Sequence, residues 1–345
     1  MPKRIVICCD GTWDTADLAD GEVAAPSNVT RLALSVAPAG EDGVLQRVYY
    51  QSGIGTVRWK LLGGAFGLGL SNDVCEAYRF LVRTYEEGDE IFFVGFSRGA
   101  YTVRSVAGLI RNSGLLRPEH ADLVPRAYAL YRDRRNESHP RETEATLFRR
   151  TYSREPRIRF IGVWDTVGSL GIPLSGVWPV DLFNRRFEFH DTALSSQVDA
   201  AFQALSIDEH RKPFVPAIWL PPAAGSGQRV EQVWFAGCHS DVGGGGRTAH
   251  GLSDVPMSWM TGRARECGLA LTTDPEVKPD PLGAMYQSRK GFYRLMPTAA
   301  RSIGVTDPAR ESVASSVVER RSVLGYDPLN LREYLGRDGR VSPVG

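Results

Sequence analysis

Glu90-Ile91-Phe92-Phe93-Val94-Gly95-Phe96-Ser97-Arg98-Gly99-Ala100-Tyr101 is the stretch on which the reading of this chain turns. An apolar run of Ile, Phe and Val leads straight into Gly-x-Ser-x-Gly, and Val103, Val106, Ala107 and Ile110 then recur at helical spacing. A strand that meets a helix across a glycine-flanked serine is the local form of a nucleophile elbow. Gly95 and Gly99 have a steric role in it, because strand and helix approach closely with no Cβ between them. The pattern predicts a serine nucleophile at Ser97. The backbone N–H of Arg98, with the start of the helix, would then face the place where an oxyanion forms.

Outward from the elbow, three more apolar runs each end in a polar or glycine-rich cluster. They are Arg4 to Cys9 before Asp10-Gly11-Thr12-Trp13, Arg157 to Val163 before Trp164-Asp165-Thr166, and Gln232 to Ala236 before Gly237-Cys238-His239. Arg47 to Gln51 is a weaker fifth run. Helices are predicted over Asn28 to Ala37 after the capping residue Ser27, over Asn72 to Tyr85, and over Ala100 to Asn112. Alternating strands and helices predict an α/β fold of the α/β-hydrolase type: a mostly parallel central sheet with helices on both faces. Functional groups in such sheets gather at the carboxyl edge, where these polar clusters fall. One domain is expected over residues 1–335, with insertions at about 56–71, 113–156 and 170–200 forming a lid, and a loosely ordered tail at 336–345. The apolar stretches Leu61 to Leu70 and Leu170 to Phe183 read as loops over the sheet edge, forming a lid or lipid-facing lip, or else as buried connections packed on the core, and Tyr131 to Glu155 as a solvated helical face or mobile insertion.

Composition narrows the function classes. Hydrophobic residues make up 42% of the chain and the formal net charge is +1, so a polyanionic partner is not implied and no nucleic acid is expected. The five cysteines, Cys8, Cys9, Cys75, Cys238 and Cys267, show no zinc or disulfide spacing and read as buried thiols. No stretch approaches the roughly 18 apolar residues of a spanning helix, and the apolar N-terminal run is too short for a signal peptide. The expectation is a cytoplasmic protein with at most peripheral membrane contact, or one exported by a route that needs no cleavable signal.

A serine hydroxyl needs a general base, and the base needs an acid to fix its tautomer. His239, just past a predicted strand, is the histidine best placed for Ser97. His120, His139, His190, His210 and His250 sit in polar or helical contexts and read as surface residues. Candidate acids are Asp165 and Asp241. With His239 as base, only Asp165 keeps the order serine, acid, histidine that is usual on this fold, whereas Asp241 calls for a later histidine. Gly11 and Thr12 are candidates for a second oxyanion donor, and Asp10 is either a site residue or the turn former that closes its strand. A second chemistry uses the same edge: Asp10, Asp165, His239 and Asp241 would converge on a divalent cation and hydrolyse a phosphoester. A third reading is a non-catalytic binding module. The serine reading requires no metal and no cofactor.

The motifs together resemble the domain of unknown function 2235 family. They are Cys9-Asp10-Gly11-Thr12-Trp13, Gly95-Phe96-Ser97-Arg98-Gly99-Ala100, Val163-Trp164-Asp165-Thr166-Val167-Gly168-Ser169, Ala204-Leu205-Ser206-Ile207-Asp208-Glu209-His210-Arg211 and His239-Ser240-Asp241-Val242-Gly243-Gly244. That α/β-hydrolase family includes phospholipase effectors of type VI secretion, and the resemblance runs from about residue 3 to about residue 332. It implies a serine–aspartate–histidine hydrolase of esters, with phospholipids as the best-known substrates. It also implies a late triad histidine in a Val/Ile-His-x-Ser-Val-x-x-Arg segment, paired with the aspartate matching Asp241. The corresponding stretch here is Val313-Ala314-Ser315-Ser316-Val317-Val318-Glu319-Arg320. Either His239 is the base, or Ala314 marks a naturally degenerate or inactivated copy.

Overall fold

The runs of Val, Ile and Phe are apolar on both sides of each strand, which suits strands covered on both faces by helices. In the computed structural model they form one eight-stranded sheet. The structure describes residues 2–11, 19–20, 23–53, 64–133, 139–167, 193–245, 250–272, 277–289, 294 and 297–344. The sheet strands are β1 (Lys3–Cys9), β2 (Leu45–Gln51), β3 (Glu90–Phe96), β4 (Ile158–Trp164), β5 (Val198–Ser206), β6 (Arg229–Phe235), β7 (Glu311–Ala314) and β8 (Val341–Ser342). They lie in the order β8-β7-β6-β5-β4-β3-β1-β2, and every neighbouring pair is parallel. The direction of winding reverses between β1 and β3. That is the switch point at which the carboxyl ends of a doubly wound sheet open a crevice.

The main helices are α1 (Asn28–Ser35), α2 (Gly64–Thr84), α3 (Ser97–Ser113), α4 (Val124–Arg132), α5 (Thr143–Tyr152), α6 (His239–Gly243), α7 (Gly251–Glu266), α8 (Ser315–Leu324) and α9 (Leu329–Leu335). Alternate residues of the central strands β1 and β3 feed two separate cores. Ile91 and Phe93 of β3 pack with Val74, Tyr78, Val103 and Ile110 beneath α2 and α3. Phe92 and Val94 pack on the opposite face with Val29, Leu32, Met257 and Met260 of α1 and α7. Burying each such side chain contributes about 1.5–3 kcal/mol, so the two layers hold the strand ends rigidly. Ser27 caps α1 as expected, its hydroxyl accepting from the Thr30 N–H at 3.1 Å. All five cysteines are buried free thiols.

Several segments depart from the sequence reading. Helix α2 begins at Gly64, so residues 64–70 are helical and not a loop. No proline interrupts that stretch, and each glycine costs a helix only about 1 kcal/mol, which the long amphipathic continuation offsets. The remainder of that stretch, residues 61–63, and the whole of 170–183 lie outside the described residues, as does His190. The insertion set at 113–156 contains α4 and α5, and α5 buries Ala145 and Phe148. Strand β5 begins at Val198, inside the segment assigned to the third insertion.

Strand β5 escaped notice because Asp199 and Gln203 interrupt its apolar pattern. Gln203 is nonetheless fully buried, accepting from Arg104 Nη1 at 3.1 Å and donating to the Ala217 carbonyl at 3.2 Å. Strand β7 hides a buried glutamate in the same way, for Glu311 accepts from Trp234 Nε1 at 3.0 Å and from the N–H groups of Gly304, Thr306 and Asp307. The chain after Tyr334 is also not loose, since Val341–Ser342 adds the last parallel strand beside Val313 and Ala314.

Candidate active site

Strand β3 passes into α3 through Ser97, whose backbone φ is +56°. The left-handed region is unfavourable for a residue with a Cβ and persists only where the surroundings enforce it. A Cβ on Gly95 would lie 2.7 Å from the Ala100 backbone, and one on Gly99 would lie 2.0 Å from the Cys9 carbonyl oxygen. Both glycines are therefore required by close backbone approach, as the elbow pattern predicts.

His239 opens α6 just beyond β6, and its Nε2 lies 2.8 Å from Ser97 Oγ. Its Nδ1 lies 2.5 Å from Asp165 Oδ2. Asp165 follows β4 and has φ of +40°, so two of the three non-glycine residues with positive φ among the described residues belong to this chain of contacts. Serine, histidine and aspartate are all buried, and Asp165 completely so. The imidazole is held by aromatic rings, Phe96 with its centroid at 4.6 Å and Phe214 edge-on at 5.0 Å.

Asp165 is the most heavily engaged carboxylate of the group. Burial alone would push its carboxyl up, but the Arg301 charge and the His239 hydrogen bond outweigh that and hold it well below the usual carboxylate range. Arg301 Nη1 reaches Asp165 Oδ1 at 2.6 Å and Nη2 reaches Oδ2 at 3.0 Å. The N–H of Ser206 donates to Oδ1 at 3.0 Å. Glu209 lies behind the histidine. Burial raises its carboxyl and hydrogen bonds from Arg211 more than reverse this, with Arg211 Nε and Nη2 each at 2.8 Å. Arg301 was not among the residues singled out from sequence, because the loop that carries it has no motif to mark it. Glu209 stands in a quoted motif but carried no assigned role there.

The remaining candidates fall elsewhere. Asp241 completes the capping box of α6 from its third position: its Oδ2 accepts from the N–H of the N-cap residue Cys238 at 2.9 Å and of Tyr286 at 3.0 Å, so it is not the acid beside His239. Ala314 is fully buried in the core at the end of β7, and three strands separate β7 from β3. The contact with Ser97 is made instead by His239, from beyond β6. Asp10 accepts hydrogen bonds from Ser27 Oγ at 2.6 Å, Thr30 Oγ1 at 2.8 Å and Tyr50 at 2.8 Å. It ties β1 to α1 and β2 and so closes its strand. The Gly11 N–H donates to Asp10 Oδ1 at 2.8 Å, which engages it away from the role of oxyanion donor, and Thr12 lies outside the described residues. Arg98 is the second residue of α3, where its main-chain N–H belongs to the unsatisfied first turn of a 17-residue helix.

The convergence of Asp10, Asp165, His239 and Asp241 required by a metal mechanism does not occur. Each of the three aspartates is committed to different partners, and no group of three or more His, Cys, Asp or Glu side chains suited to a metal ion is found among the described residues. Next to the elbow, Gln51, Asp73, Arg98, Gly99 and Thr102 line a shallow crevice at the ends of β1 and β2. Desolvation pushes the Asp73 carboxyl up to about 6, against the opposing charge of Arg98.

The chain is similar to several known proteins. The family model described as type VI secretion system phospholipase effector Tle1-like, catalytic domain, matches residues 3–263. An uncharacterized protein of Saccharomyces cerevisiae, YEL023C, is 32% identical over 243 residues, covering 64% of this chain and 33% of its own length. A crystal structure of an uncharacterized Pseudomonas aeruginosa protein aligns at 18% identity and TM-score 0.47, covering 81% of this chain and 49% of that one. The Tle1 effector, solved bound to the VgrG spike of the type 6 secretion system, aligns at 20% identity and TM-score 0.44, covering 72% and 52% respectively. The chain thus spans about a third of the curated relative and about half of each solved chain. With three quarters of its length inside the family model, the chain belongs to the Tle1-like catalytic domain family of type VI secretion phospholipase effectors.

Proposed function

We propose that this chain is a serine hydrolase of carboxylic esters, with lipid or phospholipid esters as its substrate class. The observation that carries the reading is the continuous contact from Ser97 Oγ through His239 to Asp165. Asp165 accepts a hydrogen bond from the Nδ1–H of His239, which leaves Nε2 as an acceptor facing the serine hydroxyl. Ser97 attacks the acyl carbonyl while His239 takes its proton. The oxyanion forms at the start of α3, where the Arg98 N–H and the helix terminus favour negative charge. His239 returns the proton to the leaving alkoxide, and a water activated by the same histidine then releases the acyl group from Ser97.

The phospholipid assignment rests on family membership, and the ester chemistry rests on the site. On this reading His239 is the base, and Ala314 leaves catalysis intact. Labelling by a fluorophosphonate, together with hydrolysis of short-chain esters and phospholipid vesicles, tests it. The wild type should label and turn over, and Ser97→Ala should do neither. Hydrolysis that persists in a folded Ser97→Ala protein would overturn the assignment.

A further inference from the structure

Arg301 occupies the segment before β7 and is only 3% exposed. Its guanidinium joins three parts of the chain. Nη1 reaches Asp165 Oδ1 at 2.6 Å, the Ser206 carbonyl at 2.8 Å and Ser206 Oγ at 2.7 Å. Nη2 reaches Asp165 Oδ2 at 3.0 Å and the Phe214 carbonyl at 2.6 Å. Phe214 in turn lies edge-on against the His239 ring. The planar fork of an arginine matches both oxygens of a carboxylate, whereas a lysine would offer a single point charge.

We propose that Arg301 is a positioning residue: its fork fixes the Asp165 carboxylate toward His239, and its positive charge offsets that of the carboxylate beside the imidazole. The inference rests on the serine-hydrolase reading of the same site. Asp165 is asked to hold the imidazole in one orientation, but a bare buried carboxylate would be free to turn and would place an uncompensated negative charge against the ring. The guanidinium on the far side of the carboxylate offsets that charge and leaves the orienting hydrogen bond in place. The other ionisable groups near His239 do not supply this balance. Glu209 is acidic and already tied to Arg211, and Asp241 on the histidine's own helix accepts from backbone N–H groups.

The rate of fluorophosphonate labelling of Ser97, followed against pH, reads the basicity of His239 without knowledge of the natural substrate. In Arg301→Gln the acid limb of that profile should move to higher pH by about one unit, because loss of a positive charge favours the imidazolium, and the plateau should fall about tenfold. In Arg301→Lys, which keeps the charge and loses the fork, the limb should stay at its wild-type position while the plateau falls. A folded Gln variant whose acid limb coincides with wild type overturns the proposal, as does a Lys variant whose limb moves as far as that of Gln. If the Gln variant gives no cooperative melt, the Lys variant decides alone. A lowered plateau at an unmoved limb then supports the proposal, and either an unchanged plateau or a displaced limb overturns it. Ser97→Ala separates the two claims: persistent labelling there defeats the serine reading itself, whereas loss of labelling with unaltered Arg301 profiles defeats only the role of Arg301.

Discussion

The two halves of the candidate site are built by different means. On the β3 side, the serine is placed by backbone alone, through a positive φ at Ser97 and two glycines whose absent Cβ atoms would strike neighbouring main chain. On the β4 to β6 side, the histidine is held by long-range contacts from three separated parts of the sequence: Asp165, the segment with Ser206 and Phe214, and Arg301. Backbone sterics act through a few contiguous residues and tolerate almost no change. Polar assembly over long sequence distance is graded, because each partner removed leaves others that still hold part of the geometry. Damage to the elbow should therefore abolish the site, and damage to the relay should reset its rate and pH range.

The largest effect should come from the groups in direct contact. Ser97→Ala or His239→Ala is expected to lower ester turnover by about ten-thousand-fold or more with little change in melting temperature, checked by steady-state hydrolysis and thermal unfolding. Next, Gly99→Ala tests the steric half, since its Cβ would meet the Cys9 carbonyl at 2.0 Å. Loss of about 3 kcal/mol or more in a denaturant titration is expected, with labelling of Ser97 lost in whatever folds. A Gly99→Ala protein with wild-type stability and labelling would erase the contrast between the halves.

Ala314→His should give no gain in activity, because His239 already occupies the position beside Ser97 Oγ. It should instead destabilise the fold by about 1–3 kcal/mol, as a larger polar group is forced into a fully buried site. A gain in ester hydrolysis would return the base to β7. The smallest effect concerns the crevice beside the elbow. Burial raises the Asp73 carboxyl to about 6, whereas an unfolded aspartate titrates at about 3.9. The unfolded chain therefore loses this proton first, and the stability tied to protonated Asp73 is lost as pH rises from about 4 through 6. Asp73→Asn should melt like wild type near pH 4 and roughly 1–2 °C higher at pH 8, read from paired thermal scans.

Much of this arrangement was legible in the sequence because it is locally encoded. Ser97 with its glycines, the five strands read as apolar runs, and the capped helix α1 all lie within short windows where spacing and residue type constrain the backbone. The order serine, acid, histidine likewise pointed to Asp165 once His239 was taken as base. Strands β5 and β7 were less visible because Gln203 and Glu311, polar residues inside them, are buried only by virtue of partners far away in sequence. Helix α2 starts earlier than expected because an apolar glycine-bearing stretch reads equally as loop or helix until something packs against it.

The amino-acid sequence by itself determined that a strand, a strained turn and a helix present Ser97 at the edge of a parallel sheet. Those are short-range consequences of sterics and hydrophobic periodicity. Only the tertiary structure decided which histidine meets that serine, that Asp241 caps a helix while Asp165 faces the imidazole, and that Arg301 grips the far side of Asp165. The physical reason is distance along the chain. A hydrogen bond between residues 142 positions apart, such as Ser97 to His239, depends on the order and spacing of sheet strands, and no local pattern carries that information.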